Sequence, residues 1–570
     1  MFRKRICGSC GDILITMTSS LRDHIASQIE GEVLDDTETR KKYSRDTSIF
    51  EQTPEVVVFP KNASDVAALV RFILKEKERG HAVSLTARAG GTDMTGGPLT
   101  SSILAVCTKH MNTLLDASHN GATVEPGMYY RDFEREVLKK TGMILPSYPA
   151  SREICAMGGM IADNAGGELS LRYGKTDRYV QELDVVLGDG SSATLKPLTE
   201  HELAQKKSLH TFEGEVYRKM HTLLETNKEV IESARPRVSK NSAGYALWDV
   251  IDKKQKTFDL TKLICGSQGT LAFITKAKFA LVEPKTARAM LVIFLQDLTT
   301  LPDIVHRVLK FNPEAFESYD DHTFKLAVRY GWQFLQHLRL REALALALAF
   351  LPEVWMTLSG GVPKLVLIAE FAENSLEDAQ EAARSAKNLL NDINIKARLA
   401  FGKTESKKYW KIRRESFSLL RKNFKGLRAS PFIDDIIVHP DDYPRFLPEL
   451  TKLLSTYNII YTIAGHIGDA NFHIIPLVDL SNPEHRTVIR ELTPKVYELV
   501  ARFKGSITGE HSDGIIRTPY LSLMFSPRML ELFAEVKNIC DPHGVFNPGK
   551  KVGGTYEDIE RFMIRSKPAT

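Results

Sequence analysis

Three histidines and a glutamate in the last fifth of the chain have the types and spacing to do chemistry. They sit in two short stretches, Gly465-His466-Ile467-Gly468-Asp469-Ala470-Asn471-Phe472-His473 and Gly509-Glu510-His511-Ser512-Asp513-Gly514. His466 and His473 are seven apart, an odd spacing that sets two side chains on opposite faces of an unbroken strand. Gly468, Asp469 and Asn471 lie between them and can make a turn that folds both imidazoles to one side. With Glu510 they offer two nitrogens and a carboxylate, a donor set for a divalent ion with an open position. Glu510 and His511 are neighbours, so in an extended segment one can ligate while the other meets a second target. Trp410-Lys411-Ile412-Arg413 adds a guanidinium able to pair a carboxylate through two parallel bonds.

Glycine carries a second kind of chemistry. Residues 87–97 read ARAGGTDMTGG, with Gly90, Gly91, Gly96 and Gly97 interleaved with Thr92 and Thr95. Such a loop turns tightly, lets backbone approach a ligand and aims N–H groups at anionic oxygens. Arg88 at its entrance supplies a cation. Two more stretches follow: GGMIADNAGG at 158–167, after Pro146, Pro149 and Ser151, and GSQGTLAFIT at 266–275. None is a GxGxxG turn opening a helix or a Walker loop, which disfavours an ordinary NAD-binding domain.

The elements that must position these residues are read from periodicity and punctuation. Strands are expected at 56–59, 82–85, 103–106, 123–125, 128–130 and 183–187, the last meeting a hairpin turn at Asp189-Gly190. Helices are expected at 20–29, 66–79 (capped by Ser64 with Asp65) and 131–140, and the 158–167 stretch reads as a loop. From about Pro284 long helices (376–390, 443–457, 529–539) alternate with strands 290–294 and 364–371, an α+β texture. The expected divisions are a lead-in at 1–50, a glycine-loop domain at 51–285, a second domain at 286–540 and a closing segment at 541–570 packing back on the first.

Net charge is +5 on 570 residues, with lysine and arginine dispersed, so no nucleic-acid partner is indicated. Six scattered cysteines fit a reducing compartment, hence a cytoplasmic protein; Cys7 and Cys10 have CxxC spacing without a second pair. No apolar run reaches the length of a membrane span. Residues 343–356 come nearest, broken by Pro352 and Glu353, and fit a buried helix or peripheral contact with the inner face of a membrane. The opening residues do not form a signal peptide, and Met17 is an alternative start to Met1.

Taken together, residues 88–97, 158–167, 266–275 and 547–550 resemble the FAD-binding domain of the vanillyl-alcohol oxidase / p-cresol methylhydroxylase superfamily. The C-terminal half is similar to D-lactate dehydrogenase, the glycolate oxidase flavin subunit and D-2-hydroxyglutarate dehydrogenase. The resemblance implies an α+β chain, with a two-part p-cresol-methylhydroxylase-type FAD domain and an α+β substrate (cap) domain. It implies FAD held by Arg88, Ala89, Gly90, Gly91, Thr92, Asp93, Thr95, Gly96 and Gly97 around the pyrophosphate. It places Pro149, Ser151, Gly158, Gly159, Ala162, Asn164, Gly166 and Gly167 beside the flavin ring and ribityl chain, and Gly269 to Ile274 at the adenine, with Asn547 also on the cofactor. Relatives with covalent flavin carry a histidine in the first loop; this loop has none, so noncovalent FAD is expected.

The resemblance further implies a divalent metal, Zn or Mn, on His466, His473 and Glu510. It makes His511 the base that takes a substrate hydroxyl proton while hydride passes to flavin, Arg413 the clamp on the substrate carboxylate, and Asn471 an added hydrogen bond. The implied substrate is a small D-2-hydroxy acid. Phe417 stands where a threonine is usual, and 430–434 (SPFID) lacks a usual lysine, so D-lactate-like and D-2-hydroxyglutarate-like acids stay open. EHSDGIIRTPYL resembles the flavin half of longer flavin/iron–sulfur dehydrogenases; the chain stops soon after Lys551, so a separate protein, a quinone or oxygen is expected to reoxidise the flavin. A homodimer is compatible with all of this. Two alternatives are a flavin subunit of a glycolate oxidase-type complex and an alkylglycerone-phosphate synthase-like transferase.

Overall fold

A computed structural model describes residues 20–321, 362–402, 405–414 and 426–566. Residues 343–356, Cys7, Cys10, Met17 and Phe417 lie outside the described residues. No described helix is long and apolar enough to cross a membrane.

The N-terminal half holds two sheets. In the first, Val56–Phe59, Ile103–Val106 and Leu85–Arg88 run parallel, and Glu32–Leu34 adds an antiparallel edge. The two strands VVVF and ILAV are buried at every residue, the unbroken apolar pattern that parallel strands covered on both faces require. Helix Ala63–Glu78 connects Val56–Phe59 to Leu85–Arg88. Its cap is Asn62, whose side chain accepts from the Asp65 N–H, rather than Ser64. Asp65 is occupied elsewhere, accepting from the N–H groups of Glu30 and Lys61. The second sheet is antiparallel, in the order Leu114–Ser118, Gly121–Val124, Phe273–Phe279, Val180–Val186, Ser192–Leu195. The expected strand at 128–130 is absent. Tyr129 makes one bridge to Ala156, and helix Tyr130–Thr141 begins at once.

The stretch 158–167 is a loop only in its last part. Helix Met157–Asp163 takes up its first residues and ends at Asn164, whose φ of +52° closes the turn into 165–167. Its glycines serve space rather than conformation: none has a positive φ, and a Cβ on Gly158 would lie 2.6 Å from Pro126 Cβ. In the first and third stretches the reason differs, since Gly91, Gly96, Gly266 and Gly269 all take left-handed φ values.

The C-terminal half is built on an antiparallel sheet that includes Lys396–Ala400, Ala287–Leu295, Leu365–Glu373, Ala315–Asp320, Ile460–His466 and Asn471–Val478. Helices Leu301–Leu309, Leu376–Asn388, Tyr443–Ser455 and Pro483–Arg502 bury their apolar stripes in the core that this sheet shares. The chain then returns to the first sheet. Leu85 donates its N–H to Val545 O at 2.7 Å, and Asn547 donates its N–H to Leu85 O at 2.9 Å. Mixed helices and sheets are thus the observed class, as the sequence texture predicts.

Candidate functional site

The two histidines seven apart occupy the two arms of a hairpin. In its register Ala464 faces His473 and His466 faces Asn471. His466 follows Ala464 by two residues, so His466 and His473 share one face of the sheet. The reversal is the short turn Ile467–Asp469 followed by Ala470 at φ +60°, a left-handed position that costs a non-glycine residue about 1–2 kcal/mol. The two rings lie 5.1 Å apart, edge to face.

Each imidazole is anchored from behind by a carboxylate. His466 Nδ1 lies 2.5 Å from Glu317 Oε1, on strand Ala315–Asp320, and His473 Nδ1 lies 3.2 Å from Asp434 Oδ1. Holding Nδ1 in this way leaves each Nε2 as the donor, the arrangement common behind metal-bound histidines. Glu510 joins them, with Oε2 at 3.5 Å from His466 Nε2. One donor atom from each of His466, His473 and Glu510 falls within 4.8 Å of the others. The chemistry and geometry of this set fit a divalent ion.

Two overlapping sets, Asp434/His473/His511 and Asp435/Glu510/His511, are equally compact but already engaged. Asp435 accepts from Asn471 Nδ2, Thr508 Oγ1 and the N–H groups of Glu510 and His511, all at 2.7–3.0 Å. Its φ of +63° is a left-handed position, and its bonds tie the 508–511 loop to Asp435. Asp434 lies between two imidazoles, with His511 Nδ1 at 3.1 Å from its second oxygen. The His473 and His511 rings stack at 5.2 Å.

Charge is concentrated here. Burial opposes ionisation of Glu317, but His466 and Arg413 outweigh it and hold its carboxyl at about 2. Burial likewise opposes a charge on His466, yet Glu317 raises it to about 9. For Glu510 burial is outweighed by Lys240 and then His466, which keep its carboxyl well below the usual range. His511 is raised to about 10: burial works against its charge, and Asp435 and Asp434 work for it more strongly. Two buried carboxylates thus flank the ring of His511.

Arg413 lies in the same place, with Nε 2.9 Å from Glu317 Oε2, so one glutamate joins the arginine to His466. Asn471 does not line the cavity. It is fully buried, and its amide donates to Asp435 and to Ile436 O. It therefore supports the loop behind the site, where the sequence had placed it on the substrate.

All three glycine stretches border one cavity of about 760 Å³, whose far end is lined by Glu317, Arg413, Asp434, His466, His473, Glu510 and His511. At Gly159 an added Cβ would meet only Ala89 Cβ at 3.4 Å, and at Gly269 only Ala87 Cβ at 3.8 Å, so side chains there would occupy cavity space. That open backbone cradle fits a flavin. Most residues expected at the cofactor line the cavity, but Thr95, Gly96, Asn164, Gly167 and Asn547 do not. Arg88 lines it with its guanidinium turned back: the group donates to the carbonyls of Arg45 and Tyr43 and lies over the Tyr43 ring. Asp93 folds the first loop on itself, accepting from Thr95 Oγ1 and from the Thr95 and Gly97 N–H groups.

Asn547 clamps two glycine stretches together instead of facing the cavity. Its Oδ1 accepts from Thr86 Oγ1, and its Nδ2 donates to Gly97 O and Gln268 O at 2.9 and 2.7 Å. Asn547→Ala leaves three buried polar groups unpaired, an expected loss of about 2–4 kcal/mol. Thermal denaturation should show a lower midpoint and earlier release of FAD; an unchanged midpoint would remove the clamp.

Sequence reasoning misses five residues of this constellation: Glu317, Lys240, Lys175 and the supporting roles of Asp434 and Asp435. Lys240 Nζ lies 2.6 Å from Glu510 Oε1 and 2.8 Å from Asp469 Oδ2. Lys175, pushed down to about 8 by burial, donates to Gly509 O, Asn241 O and Ser242 Oγ. Glu317 sits in the strand AFESYD, which is buried at every residue, so its charge had to find a partner within the fold.

Comparison with known proteins agrees with these features. Residues 54–196 match the model of an FAD binding domain, and residues 284–551 match that of the C-terminal domain of FAD linked oxidases. The chain is 27% identical to D-2-hydroxyglutarate dehydrogenase of Pseudomonas putida over 92% of its own length and 51% of that protein. It thus spans about half the length of the curated relatives it first matches. It is 25% identical to glycolate oxidase subunit GlcD of Bacillus subtilis, over 94% of this chain and 97% of that one. Among solved structures, 4-ethylphenol oxidase from Gulosibacter chungangensis shares the fold, with a TM-score of 0.65 at 16% identity over 94% of this chain and 97% of that one. The glycine-lined cavity, the domain models and the relatives agree: the chain joins a segment that matches an FAD binding domain to one that matches the C-terminal domain of FAD linked oxidases.

Proposed function

We propose that this chain is an FAD-dependent dehydrogenase that oxidises a D-2-hydroxy acid, D-lactate-like or D-2-hydroxyglutarate-like, to the 2-oxo acid. Electrons then pass to an acceptor other than NAD, such as a partner protein or a quinone. The observation that carries the reading is the single cavity shared by the glycine cradle and the His466/His473/Glu510/His511 cluster. FAD is held without a covalent bond in this reading, which rests on the absence of a histidine from the first glycine loop, residues 87–97.

When bound, the flavin would accept the C2 hydride, and a Zn or Mn ion held by His466, His473 and Glu510 would polarise the substrate hydroxyl and lower the proton affinity of a nearby imidazole. The chain's own residues do the rest. Arg413 pairs the substrate carboxylate, and Glu317 holds that arginine in place. Asp434 beside Nδ1 of His511 fixes the ring so that Nε2 is the proton-accepting atom. His511 then takes the hydroxyl proton as the C2–H bond breaks.

The test is anaerobic mixing of FAD- and metal-loaded protein with a panel of D- and L-2-hydroxy acids while flavin absorbance is followed. Bleaching is expected with D-acids and not with their L-enantiomers, and prior removal of the ion by a chelator should slow it. No bleaching with any acid would sink the proposal, and indifference to the chelator would remove the ion from it.

A further inference from the structure

Four consecutive residues of the N-terminal half, Ser239 to Ser242, are stitched to the two C-terminal segments that carry the metal donors. Ser239 Oγ donates to Asp469 O, Lys240 reaches Glu510 and Asp469, Ser506 Oγ donates to Asn241 Oδ1, and Ser242 N–H donates to Thr508 O. Of these, Lys240 brings a charge. Its side chain is 3% exposed, those of Glu510 and Asp469 are 4% and 6% exposed, and its ammonium sits between the two carboxylates. A fixed cation 2.6 Å from one oxygen of an acidic ligand has two opposite effects on a metal site. It orients the carboxylate and leaves the other oxygen, Oε2, on the side of His466. It also repels a dication across a buried, weakly screened distance.

Magnitudes decide between them. A lost orienting bond behind a ligand typically weakens binding about 10–100-fold, whereas removing a like charge within a few ångströms of a dication relieves a larger repulsion. We propose that Lys240 is a built-in counter-cation of the metal site: it sets the ion's affinity by charge and keeps that affinity below what the His466/His473/Glu510 donors alone would give. The same charge compensates the Glu510 carboxylate that the cavity presents to an anionic substrate. The inference rests on the metal site proposed above.

The experiment measures Mn²⁺ and Zn²⁺ affinity of the FAD-loaded, metal-stripped protein by competition with a chelating dye, without any turnover. Lys240→Met should bind both ions at least tenfold more tightly than the native protein, and Lys240→Arg should stay within about threefold. Asp469→Asn removes a negative charge and should weaken binding several-fold. Opposite signs in K240M and D469N are the signature of a charge role; an orienting role weakens the ion in K240M. Unchanged or weaker binding in K240M overturns the inference. If K240M does not fold, D469N decides alone: weaker binding supports the inference, and native or tighter binding overturns it. His473→Ala separates the two readings. An ion that survives H473A overturns the metal site and Lys240 with it, whereas an ion lost in H473A but indifferent to K240M and D469N overturns Lys240 alone.

Discussion

His511→Asn is expected to slow reduction of the bound flavin by about 10²–10⁴-fold, the usual worth of a positioned proton acceptor. The substitution is chosen because it isolates the proton. His511 is held at two places, by its own N–H on Asp435 and by Nδ1 against Asp434. Asparagine keeps the first, and its amide can donate to Asp434, whose carboxylate lies 3.1 Å from the ring nitrogen it replaces. What it loses is the lone pair at Nε2. FAD content should therefore be native, and metal affinity should stay within a few-fold, because His466, His473 and Glu510 are untouched. Single-turnover reduction with the best acid of the panel supplies the rate. A rate within threefold of native would take the proton-accepting role away from His511. A large loss of FAD would point to the loop 508–511 as a structural element instead.

The division of labour in the chain was legible where chemistry is written in residue type and lost where it depends on packing. His466, His473, Glu510 and His511 announce themselves, and the hairpin that unites the first two follows from small and polar residues at 468–471. Glycine is harder to read. In 87–97 and 266–275 it supplies left-handed turns, which the pattern indicates; in 158–167 it supplies close approach to Pro126 and Tyr148, which no local pattern encodes. The helix there follows from tertiary contact overriding glycine's poor propensity. Asn547 and Asn471 show the same limit. Each belongs to a site motif, yet each spends its amide on buried carbonyl or carboxylate oxygens, because a buried loop must satisfy its polar groups.

Lys240 and Glu317 were invisible for a different reason. Each acts across the sequence, Lys240 on residues more than two hundred positions away and Glu317 on His466 and Arg413. Their value comes from which carboxylate or cation the fold delivers to them. A buried charge without a partner costs several kcal/mol, so every ionised group at this site had to be met by another. That requirement can be stated from sequence, but the partner cannot be chosen from it.

Glu317 gives the second large expected effect. Its two oxygens serve two machines: Oε1 orients the His466 ring, and Oε2 orients Arg413. Glu317→Ala removes the buried carboxylate that faces both the His466 imidazole and the Arg413 guanidinium, with an expected loss of about 3–5 kcal/mol of stability. That loss alone would not separate support from function. Glu317→Gln does, because it keeps the shape and one acceptor while its amide nitrogen can only donate. It must confront either His466 Nδ1 or Arg413 Nε with a second donor. Metal affinity is expected to fall about 10–100-fold if His466 is the one misplaced. The KM for the hydroxy acid is expected to rise by a similar factor if it is Arg413, with FAD content native in both cases. Chelator competition and steady-state kinetics distinguish the two, and a joint loss would show that Glu317 couples carboxylate binding to the ion. Native affinity together with native KM in E317Q would reduce Glu317 to a packing residue, whatever its cost to the midpoint of unfolding.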